Sequence, residues 1–190
     1  MLWYDVRIGT EDSGLNPERS VGADRMPEQG TLPSPGALAK LLSDLLMERR
    51  VSVNMSAPMR FPPPAPFVVA TYKSDDGKSA VVCVCDLALA SAVSAALTVI
   101  PPSVAAESVR AGRLSETLAE NLHEIFNVCT ALFNQPNFPH LVLDQVALGS
   151  PTLVSALAGP VAKARERNNF EISISGYGSG KFSSWAISLV

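Results

Sequence analysis

From Pro35 onward the chain alternates between two kinds of hydrophobic spacing. Leu38, Leu41, Leu42, Leu45 and Leu46 recur at three- and four-residue intervals, which predicts a helix over 35–49 with Ser34 as its cap. Arg49 and Arg50 then fall in the last turn, where cations suit the helix dipole. "VSVNM" (51–55) alternates like a strand, and the prolines of "PMRFPPPAP" (58–66) exclude regular structure. "FVVATYK" (67–73), the turn Asp75-Asp76-Gly77 and "SAVVCVCD" (79–86) predict a β-hairpin. Asp86 ends it and is placed to cap a small-residue helix, "LALASAVSAAL" (87–97).

After Pro101-Pro102 a helix is expected from about Ser115 to Phe133, its start left open by the pattern. "HLVLDQVAL" (140–148) reads as a strand; Pro151 opens a short helix that Gly159-Pro160 should break. "FEISISGY" (170–177) and "KFSSWAISLV" (181–190) predict a closing hairpin across "GSG". Helix 35–49 with strands near 51, 67 and 79 parallels helix 115–133 with strands near 140, 170 and 181. The implied architecture is α+β, with duplicated α-β-β-β units building one mostly antiparallel sheet and the long helices on one face.

Composition narrows the function classes. The 190 residues suit one domain, 35–190, preceded by an arm over 1–34 whose scattered charges, Gly and Pro predict poor order. Met26, near the end of that arm, is a candidate alternative start. A net charge of −3 argues against nucleic acid as a partner. The longest apolar run, "LALASAVSAALTVI" (87–100), is shorter than the roughly 18–20 residues of a membrane span, and the absence of a basic region followed by an apolar stretch near Met1 argues against a secretory signal. Cys83, Cys85 and Cys129 sit in apolar segments, as expected of reduced thiols in a cytoplasmic protein. Cys83 and Cys85 share a strand face, but no C-x-x-C or nearby His pair completes a metal site, so packing is the better assignment.

Steps of 100° sort helix 115–133 into two faces. Leu118, Leu122, Ile125, Phe126, Cys129, Leu132 and Phe133 fall on the side that must be buried. Glu116, Glu120, His123, Glu124, Asn127, Thr130, Ala131 and Asn134 fall on the other, so Glu124 and Asn127 are presented side by side. Spacing alone is weak evidence for a site. About half an E-x-x-N match is expected by chance in a chain this long, and Glu166 and Asn169 form a second match at the entry to a strand.

The surrounding segment, "LAENLHEIFNVCTALFN", resembles the E-x-x-N helix of the CheC/CheX/FliY class of chemotaxis phosphatases. The duplicated layout over 35–190 is likewise similar to that family's pseudo-two-fold fold, shared with the middle domain of the flagellar switch protein FliM. The resemblance implies a hydrolase acting on the phospho-aspartate of a CheY-type response regulator in two-component signalling. Asn127 would orient the attacking water and Glu124 would pair with a receiver lysine. Mg²⁺ would be held by the receiver, with no cofactor of this chain's own. The first-half helix carries Asp44 and Met47 at the matching register, which implies one site per chain. The family often follows the asparagine with small residues, whereas Val128, Cys129 and Thr130 follow here. The same fold used as a non-catalytic adaptor or switch-complex module is the alternative, and a homodimer built on the long helix is a third.

The remaining candidates read as structure. His123 flanks Glu124 and reads as a solvated surface histidine, with tuning of the site as the functional alternative. His140 follows Pro139 with no partner in the sequence, and "GYGSGK" (176–181) joins two strands without Walker spacing. There is no G-x-S-x-G and no convincing Ser/His/Asp set.

Overall fold

Ser34 starts the first helix as the pattern requires: its hydroxyl accepts the Ala37 N–H at 3.2 Å, and Pro35 fills the first helical position. This computed structural model describes residues 32–77, 79–134 and 139–188, so Met26 and most of the arm lie outside the described residues. The order is α1 (Pro35–Leu45), β1 (Val51–Met55), β2 (Phe67–Ser74), β3 (Ser79–Asp86), α2 (Leu87–Leu97), α3 (Pro102–Ala111), α4 (Glu116–Cys129), a 3₁₀ turn (Thr130–Leu132), β4 (Leu141–Leu148), α5 (Pro151–Ala162), β5 (Glu166–Ile174) and β6 (Gly178–Ser188).

The strands form one sheet in the order β1-β5-β6-β3-β2-β4, every neighbouring pair antiparallel. Exchanging β1 with β4, β2 with β5 and β3 with β6 turns that order into itself read backwards. The two α-β-β-β units are therefore related by a pseudo-two-fold between the central strands β3 and β6. Alternation decides the faces. Val68, Ala70 and Tyr72 of β2, and Val81, Cys83 and Cys85 of β3, meet the stripes of α1, α2 and α4. On the opposite face Phe67, Val69, Val82, Val84, Trp185 and Ile187 are covered by α5 and by Met59 and Phe61 of the proline-rich loop. Phe61 packs edge-on against both Phe67 and Trp185.

Several boundaries depart from the pattern. α1 stops at Leu45 because Leu46 is a wholly buried anchor, after which Met47 and Glu48 turn through left-handed conformations (φ 58° each). Arg49 therefore lies beyond the helix, its guanidinium 5.0 Å from the centre of the Tyr177 ring rather than on the helix end. α5 runs through Gly159 and Pro160 to Ala162. A proline in the last turn removes a single intrahelical donor, and Val161 buried below it holds the turn in place. The closing hairpin turns at Ser175–Tyr177, where the Tyr177 N–H bonds to the Ile174 carbonyl at 3.0 Å, so "GSG" belongs to β6. At the start of the domain, Leu32 and Pro33 are buried, and the Asn168 side chain donates to the Pro33 carbonyl at 3.0 Å.

Candidate functional site

α4 is built to be held rigidly on one side and left bare on the other. The Ser115 hydroxyl accepts the Leu118 N–H at 3.4 Å, and Glu116 in the first turn complements the helix dipole. Leu118, Leu122, Ile125, Phe126 and Cys129 are all buried, as the helical spacing predicts. Upstream, α3 is a separate helix, ended by Gly112 in the left-handed conformation (φ 68°). Two polar side chains reinforce the packing through three hydrogen bonds. The Asn121 carboxamide donates to the Ser94 carbonyl (3.0 Å) and to the Thr98 hydroxyl (2.8 Å), and the Tyr72 hydroxyl donates to the Phe126 carbonyl at 2.7 Å.

Glu124 and Asn127 are both exposed. At i and i+3 they lie on adjacent turns of one face, roughly 5–6 Å apart at Cβ. The chain closes no hydrogen bond or ion pair on either side chain among the described residues. Glu116, Glu120 and His123 share this outer surface, and α4 carries no Lys or Arg. Beside it, Glu120 and His123 line a groove of about 560 Å³ floored by Leu122, Val146 and Leu148, between α4 and the edge strand β4. A phosphate-bearing partner brought to this face would meet a carboxamide able to donate and accept and a carboxylate able to take a cation.

The two places that share part of the motif are built differently. In the first half, Asp44 is tied to Lys40 at 2.7 Å, and Met47 falls past the end of α1, 72% exposed. Asn169 of the second E-x-x-N match is buried, its Oδ1 accepting from the Met59 N–H (3.0 Å) and the Ser183 hydroxyl (2.8 Å). That carboxamide fastens the proline-rich loop to the sheet.

Cys83, Cys85 and Cys129 lie in the main core, and burial pushes all three thiols up, Cys129 to about 12. Neutral, enclosed thiols of this kind are poor nucleophiles. No group of three or more His, Cys, Asp or Glu is arranged to hold a metal ion among the described residues. His140 is not unpaired: its Nδ1 stands 3.4 Å from Asp75 Oδ2, a partner brought by the β2–β3 turn and invisible in local sequence. Asn121 and Tyr72, which position α4, were not singled out by periodicity. Asn121 sits between the two faces of the helix, and Tyr72 has the pattern of any alternating strand residue.

No helix among the described residues is long and apolar enough to cross a membrane. No protein-family model matches the sequence, and no curated protein does. The fold, however, has solved counterparts. FliY from Thermotoga maritima matches over 83% of this chain and 85% of its own, with a TM-score of 0.52 and 17% identity. The FliM middle domain from H. pylori matches over 80% and 84%, with a TM-score of 0.51 and 11% identity. A FliG–FliM complex from H. pylori contains a chain matching over 82% and 88%, with a TM-score of 0.51 and 12% identity. At these identities the likeness is one of fold: the chain has the fold of the CheC/CheX/FliY family and of the FliM middle domain.

Proposed function

We propose that this protein is a cytoplasmic CheC/CheX-like phosphatase acting on the phospho-aspartate of a CheY-type response regulator. The observation that carries the reading is the pair Glu124 and Asn127, exposed and without a partner among the described residues, on the outer face of a helix whose opposite stripe is buried. In the reaction, a water oxygen bonds to phosphorus as the bond from phosphorus to the aspartyl oxygen breaks. The receiver's carboxylate leaves, and inorganic phosphate is released. The Asn127 carboxamide would accept from that water through Oδ1 and donate through Nδ2 to a phosphoryl oxygen. Glu124 would fix the register of docking by pairing with a receiver lysine. Mg²⁺, held by the receiver, would neutralise charge on the transferring group. This chain supplies positioning, and no covalent step passes through it.

The fold likeness to the FliM middle domain favours a second reading, because the FliM of one such structure is in complex with FliG. There the same fold serves in an assembly, which suits a non-catalytic adaptor. Decay of a receiver's phosphate separates the two. Asn127→Ala should slow the stimulated decay about 10²-fold, the order of loss that follows from misplacing a reacting group. Unchanged decay eliminates the phosphatase reading. Loss of receiver binding in Glu124→Lys alongside unchanged decay in Asn127→Ala would establish the adaptor. If Glu124→Lys binds the receiver as well as wild type, this helix face is not the docking surface.

A further inference from the structure

We infer that Tyr72 is a positioning residue for Asn127, acting through the backbone of the last turn of α4. Its catalytic consequence rests on the phosphatase reading; its structural consequence does not.

Tyr72 is wholly buried on the helix-facing side of β2, and its hydroxyl donates to the carbonyl of Phe126, the residue immediately before Asn127, at 2.7 Å. That carbonyl has lost its usual partner. In a continuing α-helix it would accept the Thr130 N–H, but here Thr130 turns to the carbonyl of Asn127 as the chain tightens into the 3₁₀ turn. Asn127 thus sits where the helix changes pitch, and its orientation is set by how that change is held. Tyr72 holds it from both sides. Its hydroxyl fixes the carbonyl before Asn127, and its ring packs against Phe133, the residue that follows the 3₁₀ turn, with 4.7 Å between ring centres. A phenylalanine would pack equally well against that ring, so the hydroxyl serves the carbonyl. A buried hydroxyl without such a bond would be destabilising. The β2–β4 register also shifts between Thr71 and Tyr72, the kind of irregularity that re-aims a side chain.

The test compares Tyr72→Phe with Thr71→Val, which removes a hydroxyl from the opposite face of the same strand and controls for general loosening of the sheet. Amide exchange in the folded protein should speed about tenfold across Val128–Ala131 in Tyr72→Phe, the loss of one buried hydrogen bond. Exchange at Leu122 and Ile125 should stay at the wild-type rate. In the receiver assay, kcat should fall about tenfold while KM and receiver affinity hold, because Tyr72 touches neither partner. Unchanged exchange at Val128–Ala131, or acceleration spread along all of α4 as in Thr71→Val, overturns the inference. So does wild-type kcat in Tyr72→Phe where Asn127→Ala is inactive. If Asn127→Ala is itself unimpaired, the phosphatase reading fails separately, and the exchange data alone decide the role of Tyr72.

Discussion

The Asn121 carboxamide joins α4 to α2: it donates to the Ser94 carbonyl at 3.0 Å and to the Thr98 hydroxyl at 2.8 Å. The Ser94 carbonyl lies in the last turn of α2, where intrahelical partners run out. Asn121→Ala leaves that carbonyl without its donor and should destabilise the fold by about 1–3 kcal/mol. Urea unfolding checks this, and a change below about 0.5 kcal/mol would mean that the apolar stripe alone seats α4.

Gly180 tests a different constraint. A Cβ there would come within 2.6 Å of the Leu89 nitrogen and 2.8 Å of its Cβ, and closer still to Asp86 Oδ1. Asp86 is committed on both oxygens, accepting the Leu89 N–H and the Lys181 N–H at 2.8 Å each. Gly180→Ala must therefore push β6 away from the start of α2, at about 1–3 kcal/mol or more. A Cβ added at Gly36, in the first turn of α1, meets nothing within 4 Å among the described residues, so Gly36→Ala should stabilise by about 0.5 kcal/mol. Thermal melts of the two variants should move in opposite directions.

The buried thiols give the stability a defined dependence on pH. Their folded-state values lie above the ordinary 9.0, through desolvation first and neighbouring thiols second for Cys83. Above pH 9 the unfolded chain releases these protons while the native chain keeps them, so the unfolded state binds fewer protons and stability falls as pH rises. The contribution is fully present below pH 9. For Cys129 it declines up to its folded value of about 12, at up to about 1.4 kcal/mol per pH unit. Denaturant midpoints at pH 8, 9, 10 and 11 measure the slope. It should be shallower in Cys129→Ala, and an unchanged slope would show that this thiol contributes nothing to it.

Local patterns were legible and long-range partners were not. The stripes Leu38, Leu42, Leu46 and Leu118, Leu122, Phe126 placed α1 and α4 correctly, and Asp86 caps α2 with its side chain as its position suggests. The duplicated order of helix and strands also survives, as the reversible sheet order shows. α3 was missed because only Ala105 and Ser108 on it are buried, too little to write a stripe. Pro160 reads locally as a stop, although a proline so near the helix end removes only one donor. Arg49 over Tyr177, His140 beside Asp75 and Tyr72 beneath Phe126 all depend on the sheet bringing distant segments together. Spacing carries no trace of such contacts. The exposure of Glu124 and Asn127 was legible in the helical spacing.

The two E-x-x-N asparagines make opposite predictions from identical spacing. Asn169 is buried with Oδ1 accepting two hydrogen bonds, and its backbone carbonyl accepts the Ser56 N–H at 2.9 Å. Asn169→Ala strands the Met59 N–H and the Ser183 hydroxyl and opens a small void, so it should cost about 2–4 kcal/mol. The Asn127 side chain is exposed and closes no hydrogen bond among the described residues, so Asn127→Ala should change stability by less than about 0.5 kcal/mol. Chemical denaturation ranks the pair, and the functional assay should rank them in reverse. Folded Asn169→Ala protein should retain the activity that Asn127→Ala lacks. A large stability loss in Asn127→Ala would mean that its carboxamide serves the fold, and the case for a site on this helix would go with it.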